Sequence, residues 1–313
     1  MTVKLALAAP ERHYAAIADL MTRAGLQRVT AVDLMETDTP RPGKLVRRWV
    51  ALADDVVVGA AALIRYPSKP TGLVDVEVAV EPAFTGRGVG SALARAVEAL
   101  AAAHGATPLR AEARDDDFRS IAFARRRGFG PARRSIRSAL DLTTFREGEL
   151  TAAVSRVRAS AIRLFSLAEA GDGEEPLRAL YAINRIASID DPASDGTFPG
   201  YETWRSAVVG SAGFRPEGQF VAAVGDRFVG LVVVSVEDDL TATSDVAGVD
   251  RVYRRRGIAT ALKLLALRHV IVVGATRIET ENDARNHAML ALNRKLGYRP
   301  VSGYVVLERA SVP

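Results

Sequence analysis

The chain contains no cysteine, which excludes disulfides, thiolate metal ligands and a cysteine nucleophile. Histidine is nearly as scarce: His13, His104, His269 and His287 are scattered, with none of the spacings that build a metal site. No apolar run reaches the roughly 18 residues of a membrane span. Glu11, Arg12 and His13 interrupt the first apolar stretch, so no secretory leader is expected. These absences predict a cytoplasmic protein with neither metal nor thiol chemistry. The Gly-Lys-Ser/Thr of a P-loop is also missing, and a dinucleotide fingerprint is matched weakly, with Gly86, Gly88 and Ser91 as its small residues.

What is present is one motif written twice. Val80-Glu81-Pro82-Ala83-Phe84-Thr85-Gly86-Arg87-Gly88-Val89-Gly90-Ser91-Ala92-Leu93 recurs as Val249-Asp250-Arg251-Val252-Tyr253-Arg254-Arg255-Arg256-Gly257-Ile258-Ala259-Thr260-Ala261-Leu262. The offset is unchanged further on, where Gly128-Phe129-Gly130-Pro131 answers to Gly297-Tyr298-Arg299-Pro300. A constant offset predicts the same subfold in each half. Val74, Val76, Val78 and Val80 alternate with Asp75, Glu77 and Ala79, which is strand periodicity. Val89, Leu93, Val97 and Leu100 then recur at helical spacing, as do Ile258, Leu262, Leu265 and Val270. A strand running through glycine into a helix aims free N–H groups and the positive helix end at one point. That point suits a pyrophosphate.

The chain length of 313 residues suggests two domains. Each half opens with a strand (3–7; 161–164) and a helix (11–24; 175–186). A hairpin follows, turning at Asp54-Asp55 and at Gly225-Asp226. The strand–turn–helix comes next, then a strand, a helix and a last strand. This order predicts an α/β (α+β) fold, a mixed sheet flanked by helices, built in tandem. The expected boundaries are 1–142 and 160–313, with 143–159 as linker.

Arg254, Gly257 and Ala259 form an Arg-x-x-Gly-x-Ala pattern that resembles the acyl-CoA signature of the GNAT superfamily of N-acyltransferases. The run Asn282, Asn286, Met289, Asn293, Leu296, Gly297, Tyr298 resembles that superfamily's Asn-containing helix ending in Gly-Phe/Tyr. The resemblance implies two GNAT-like domains, acetyl-CoA as cosubstrate, and direct attack of an amine in a ternary complex. It implies cofactor contacts at Val249, Arg254, Arg255, Arg256, Gly257, Ile258, Ala259, Thr260, Asn286 and Asn293, with a second set at Arg87, Gly88 and Gly90. In the first half Thr85 replaces the leading Arg, so tighter binding is expected in the second. The net charge is +5, with Arg125–Arg127, Arg133-Arg134 and Arg254–Arg256 as the densest clusters. Because each lies in or beside an element that the acyl-CoA resemblance explains, CoA and not nucleic acid is the expected partner.

The same resemblance places an oxyanion-binding N–H on a bulged strand around Ala247-Gly248-Val249. Many members of the superfamily carry a general-acid tyrosine seven residues after the helix Asn. Here that position is Asn293, or Ala124 in the first half, so the leaving sulfur is expected to be hydrogen-bonded by Asn293 or protonated by water. Asp245 and Glu77 are the candidate bases on the key strands. Residues 188–201, with three aspartates and two aromatics, form a candidate wall for a cationic acceptor, either a small molecule or a peptide amine. The missing tyrosine also leaves a non-catalytic acyl-CoA-binding or scaffold role open.

Overall fold

The computed structural model describes residues 2–24, 29–66, 73–171, 173–211, 213–237 and 239–310. In chain order the first repeat forms β1 (Val3–Leu7), α1 (Pro10–Arg23), α2 (Ala31–Asp38), β2 (Leu45–Ala53), β3 (Val56–Arg65), β4 (Val74–Val80), α3 (Val89–Ala103), β5 (Leu109–Arg114), α4 (Phe118–Arg125) and β6 (Gly130–Asp141). The chain continues through α5 (Thr151–Ala159), β7 (Arg163–Ser166), α6 (Leu167–Ala170), α7 (Glu174–Ile189), α8 (Tyr201–Trp204), β8 (Gln219–Val224) and β9 (Arg227–Val236). It ends with β10 (Thr241–Val249), α9 (Ile258–Val272), β11 (Arg277–Asp283), α10 (His287–Lys295), β12 (Arg299–Pro300) and β13 (Tyr304–Arg309).

Two compact units result, Met1–Arg134 with Tyr304–Pro313, and Ser135–Gly303. The first carries a mixed sheet of order β1-β2-β3-β4-β5-β13 and the second one of order β6-β11-β10-β9-β8-β7. The units therefore differ from the repeats at their ends. Residues Ser135–Asp141 of β6 lie antiparallel to β11, and β13 lies antiparallel to β5, so each repeat's last strand completes the other unit's sheet. The expected linker differs too: Val154 and Val157 of α5 belong to the second unit's core, and Ala153 is buried beside them. Their spacing puts all three on one helix face, an amphipathic pattern short enough to pass for a connection.

Within each unit, elements follow local chemistry. Asp54 and Asp55 both take positive φ (49° and 61°), the geometry of a two-residue type I′ hairpin. In the second unit, α5 and α9 cover one sheet face through Val157, Leu262 and Val232. Helix α7, with Trp204 of α8, covers the other through Leu180, Ile183 and Leu231.

Strand pairing in this unit opens a wedge. β10 and β11 run parallel, with registered pairs from Thr241–Arg277 to Ser244–Thr280. The Thr280 hydroxyl donates to the Ser244 carbonyl at 3.0 Å, and past this tie β10 follows β9 alone. The first unit repeats the device: β4 and β5 pair at Val74–Leu109 and Asp75–Arg110, leaving the rest of β4 against β3.

Candidate active site

The turn between β10 and α9 has the backbone geometry that suits an anion. Arg255 has φ 63° and Gly257 φ 82°, both in the left-handed region that costs a side chain about 1–2 kcal/mol. The first helical bond runs from the Ala261 N–H to the Gly257 carbonyl. The N–H groups of Ile258, Ala259 and Thr260 thus precede the helical ladder and point at the positive helix end. A Cβ on Gly257 would meet Val157 of α5 at 3.8 Å. The helix expected as linker therefore backs the turn, and the glycine is needed for its φ, not for space.

A cleft of about 390 Å³ follows this turn into the wedge. Its walls include Ala247, Val249, Arg254, Ala259, Asn286 and Leu292. Arg254 is not swung outward. Its Nε donates to the Val249 carbonyl at 2.9 Å, and its Nη2 pairs with Asp190. Arg251 pairs with the same carboxylate at 2.6 Å. Burial pushes the Asp190 carboxyl up, but the Arg251 hydrogen bonds and the two arginine charges outweigh it and hold it below the ordinary range. Arg256 lies over the Tyr253 ring at 5.2 Å, which matches Arg87 over Phe84 at 5.4 Å in the first unit.

The β-bulge falls earlier than expected. Registered pairing of β10 with β9 shifts between Ser244 and Ala247, so Asp245 and Val246 are the bulged residues. Before the shift Ala242 faces α9, and after it Ala247 and Val249 do. Asp245 and Val246 consequently share the α7 face, where the Ser235 hydroxyl donates to Asp245 at 3.3 Å. Gly248 has a different reason to be glycine: a Cβ there would lie 2.4 Å from the Cβ of Ala187. It permits α7 to close on β10. Asp245 is exposed, yet the protein around its carboxyl raises its pKa, with the Ser235 bond acting the other way. Water still reaches the group, which limits the effect. The Asp250 N–H bonds across to Val229, so alternation turns the N–H groups of Ala247 and Val249 toward the wedge.

Several expected residues stand elsewhere. Asn293 is 1% exposed, and its amide donates to the Asn282 side chain at 2.7 Å; it packs under the cleft and does not line it. Asn286 does line the cleft, and it also caps α10 by accepting from the Met289 N–H at 3.2 Å. Tyr298 is a core residue whose phenol is raised by burial, while Tyr253 opens onto the cleft. The 188–201 wall is stitched together from within. Asp191 and Asp195 cap the N–H groups of Ala193 and Thr197 at 2.7 and 2.8 Å. Phe198 and Tyr201 pack on Tyr181, and Arg178 already sits 4.3 Å over the Tyr201 ring. These groups hold the wall, so they are not an open receptor for a cation.

The first unit keeps the turn and changes the cleft. Gly86 and Gly88 have φ 75° and 84°, but the Thr85 hydroxyl turns back to the Pro82 carbonyl at 2.8 Å. Phe123 stands where the second repeat has Leu292. Its ring lies 3.7 Å from where a Gly90 Cβ would sit, and Arg127 stacks on it at 4.6 Å. Glu77 is not poised like Asp245. Arg48, with a side chain 4% exposed, pairs with both Glu77 and Asp38 at 3.3 and 3.0 Å. Burial raises the Glu77 carboxyl, against the pull of Arg48. Two features escaped sequence reasoning. Asp190 was visible as an acidic residue, but its partners are distant in sequence. Phe123 was visible in the repeat alignment as an aromatic facing a leucine.

Comparison with known proteins identifies the family and the fold. The acetyltransferase (GNAT) family matches twice, at residues 14–129 and 180–298. The chain is 31% identical over 262 residues to a mycothiol acetyltransferase of Nocardia farcinica, covering 81% of this chain and 80% of that one. Among solved structures, a tandem GNAT protein from the clavulanic acid biosynthesis pathway is similar over 99% of this chain and 98% of that one, with TM-score 0.75 and 20% identity. A GCN5-related N-acetyltransferase of Sphaerobacter thermophilus is similar over 98% and 95%, with TM-score 0.73 and 19% identity.

Proposed function

The chain belongs to the acetyltransferase (GNAT) family and is an N-acetyltransferase with two tandem GNAT domains, and we propose that its second unit binds acetyl-CoA and carries the chemistry. The observation behind this reading is the open cleft that leads from the left-handed turn at Arg255–Gly257 into the β10–β11 wedge. Ile258, Ala259 and Thr260, whose backbone N–H groups precede the helical ladder, all line it. The residues fit the diphosphate of CoA by charge and by donor geometry.

On this reading the acyl carbonyl lies in the wedge. A neutral amine attacks it, the C–N bond forms, and the C–S bond breaks as sulfur leaves. The N–H of Ala247 or Val249 on the bare edge of β10 stabilises the oxyanion. Asp245, turned onto the α7 face by the bulge, takes the proton from the attacking nitrogen through water. No side-chain acid is assigned to sulfur, because Asn293 lies outside the cleft. A CoA thiol is acidic enough to leave as thiolate, with a pKa near the roughly 8.5 of cysteine.

The first unit serves as a non-catalytic copy. Phe123 lines a counterpart groove of only about 90 Å³, and Glu77 is committed to Arg48. The acceptor is a small-molecule amine, and the acceptor of the mycothiol acetyltransferases is the first candidate because of the likeness to the Nocardia farcinica protein. The site of action is the cytoplasm, where acetyl-CoA is supplied; among the described residues no helix is long and apolar enough to cross a membrane. Release of CoA thiol from acetyl-CoA, measured against a panel of amines headed by that acceptor, tests the reading. Amine-dependent release is expected. Binding of acetyl-CoA with no release across the panel would instead favour a scaffold role.

A further inference from the structure

Asp190 closes a connection between two parts of the second unit that the reaction must coordinate. It follows the last turn of α7 and leads into the 191–200 wall. Its Oδ1 accepts from Arg251 at 2.6 Å and its Oδ2 from Arg254. Both arginines belong to the phosphate turn. Two residues on, the Pro192 carbonyl accepts from Arg285, which is itself held by Asp283 at 2.8 Å. Arg285 adjoins Asn286 on the opposite wall of the cleft. The segment Asp190–Pro192 is thereby strapped to both walls, and Asp190 and Asp191 line the cleft beneath it.

We propose that Asp190 is a positioning residue that pins the acceptor-side wall to the cofactor turn by acting as a stand-in anion for Arg254. The proposal rests on the second-unit reading of the cofactor site. Its side chain is 12% exposed and shared by two guanidinium groups. A diphosphate entering the turn brings negative charge to the same guanidinium groups. Carboxylate and phosphate then repel each other across one arginine. Cofactor binding draws Arg254 away from Asp190 and loosens the wall at the moment an acceptor has to enter. Arg251 retains its grip, so the wall is loosened and not released.

Two measurements separate this role from plain structural support. In the wild-type chain, hydrogen exchange with saturating acetyl-CoA should slow at Arg254–Thr260 and speed up at residues 191–200. In Asp190→Asn, calorimetry should show acetyl-CoA binding tightened by about fivefold, the size of one exposed charge contact, with the wall exchanging rapidly even without ligand. Asp190→Glu should restore the wild-type affinity. A merely structural residue would weaken binding when replaced. Unchanged or weaker affinity in Asp190→Asn, or slower exchange of 191–200 on binding, overturns the proposal while leaving the cofactor site intact. Absence of protection at Arg254–Thr260 overturns the cofactor reading and this proposal together.

Discussion

At equivalent places the two halves carry Thr85 and Arg254, Gly86 and Arg255, Phe123 and Leu292, and Ala94 and Lys263. Both keep the left-handed turn, with Gly88 at φ 84° and Gly257 at φ 82°, and both keep the split between the central strands. The turn is a backbone property that any strand–glycine–helix junction preserves. The cleft is a side-chain property. Phe123, under a stacked arginine, lines a cavity of about 90 Å³ in the first unit, and Leu292 lines one of about 390 Å³ in the second. The bulge belongs to β10, since the β3–β4 register runs without a shift from Ile64–Asp75 to Gly59–Val80. Duplicated folds can therefore keep the backbone of a turn while a handful of substitutions change the side chains around it.

The sharpest way to break this comparison is to remove the two carboxylates in turn. Asp245→Asn should lower kcat by about 10²–10⁴-fold, the usual worth of a positioned base. In the wild type the raised Asp245 pKa should set an acidic limb above the ordinary carboxylate range, lost in the variant. Glu77→Gln should leave kcat alone and cost about 1–3 kcal/mol of stability, because Arg48 loses a charged partner in a buried place. Equal losses of turnover in both variants would end the division of labour.

Lys263 gives the next largest effect. It lies on the buried side of α9, 3% exposed and 5.5 Å from the Tyr298 ring, and burial lowers its pKa from 10.5 to about 8. Below pH 8 both folded and unfolded chains carry the proton, and burying that charge costs about 3 kcal/mol. The cost is relieved as pH rises from about 8 to 10.5. Lys263→Met should accordingly stabilise the chain by about 1–3 kcal/mol at pH 7, allowing for the lost cation–π contact. The gain should fade above pH 10, as urea melts at several pH values would report.

Exchanging the groove residues sharpens the same contrast. Leu292→Phe should weaken acetyl-CoA binding at least tenfold by filling the cleft, whereas Phe123→Leu should leave the second-unit affinity untouched. Calorimetry on the pair decides. A smaller effect is expected at the turns. Gly257→Ala and Gly88→Ala should each cost about 1–2 kcal/mol of stability for the left-handed alanine, with cofactor affinity falling in Gly257→Ala alone.

Much of this was legible in the sequence. The constant offset between Val80–Leu93 and Val249–Leu262 disclosed the tandem fold and both turns, because glycine and strand–helix periodicity are local signals. The signature at Arg254, Gly257 and Ala259 disclosed the family to which the chain belongs. The exchange of β6 and β13 between units was hidden, since strand pairing is non-local and a last strand reads the same wherever it pairs. The bulge at Asp245–Val246 was hidden because Gly248 offered a plausible site for it, and the close approach of Ala187 is a tertiary fact. Asn293 misled by helix counting: its spacing from Asn286 held, but whether its amide faces the cleft or Asn282 depends on packing.

The location of the cofactor tests the central claim most directly. Crystals grown with acetyl-CoA should show it along Arg254–Thr260, with its acyl end in the β10–β11 wedge beside Ala247 and Val249. Density confined to Gly86–Gly90 of the first unit would contradict the account.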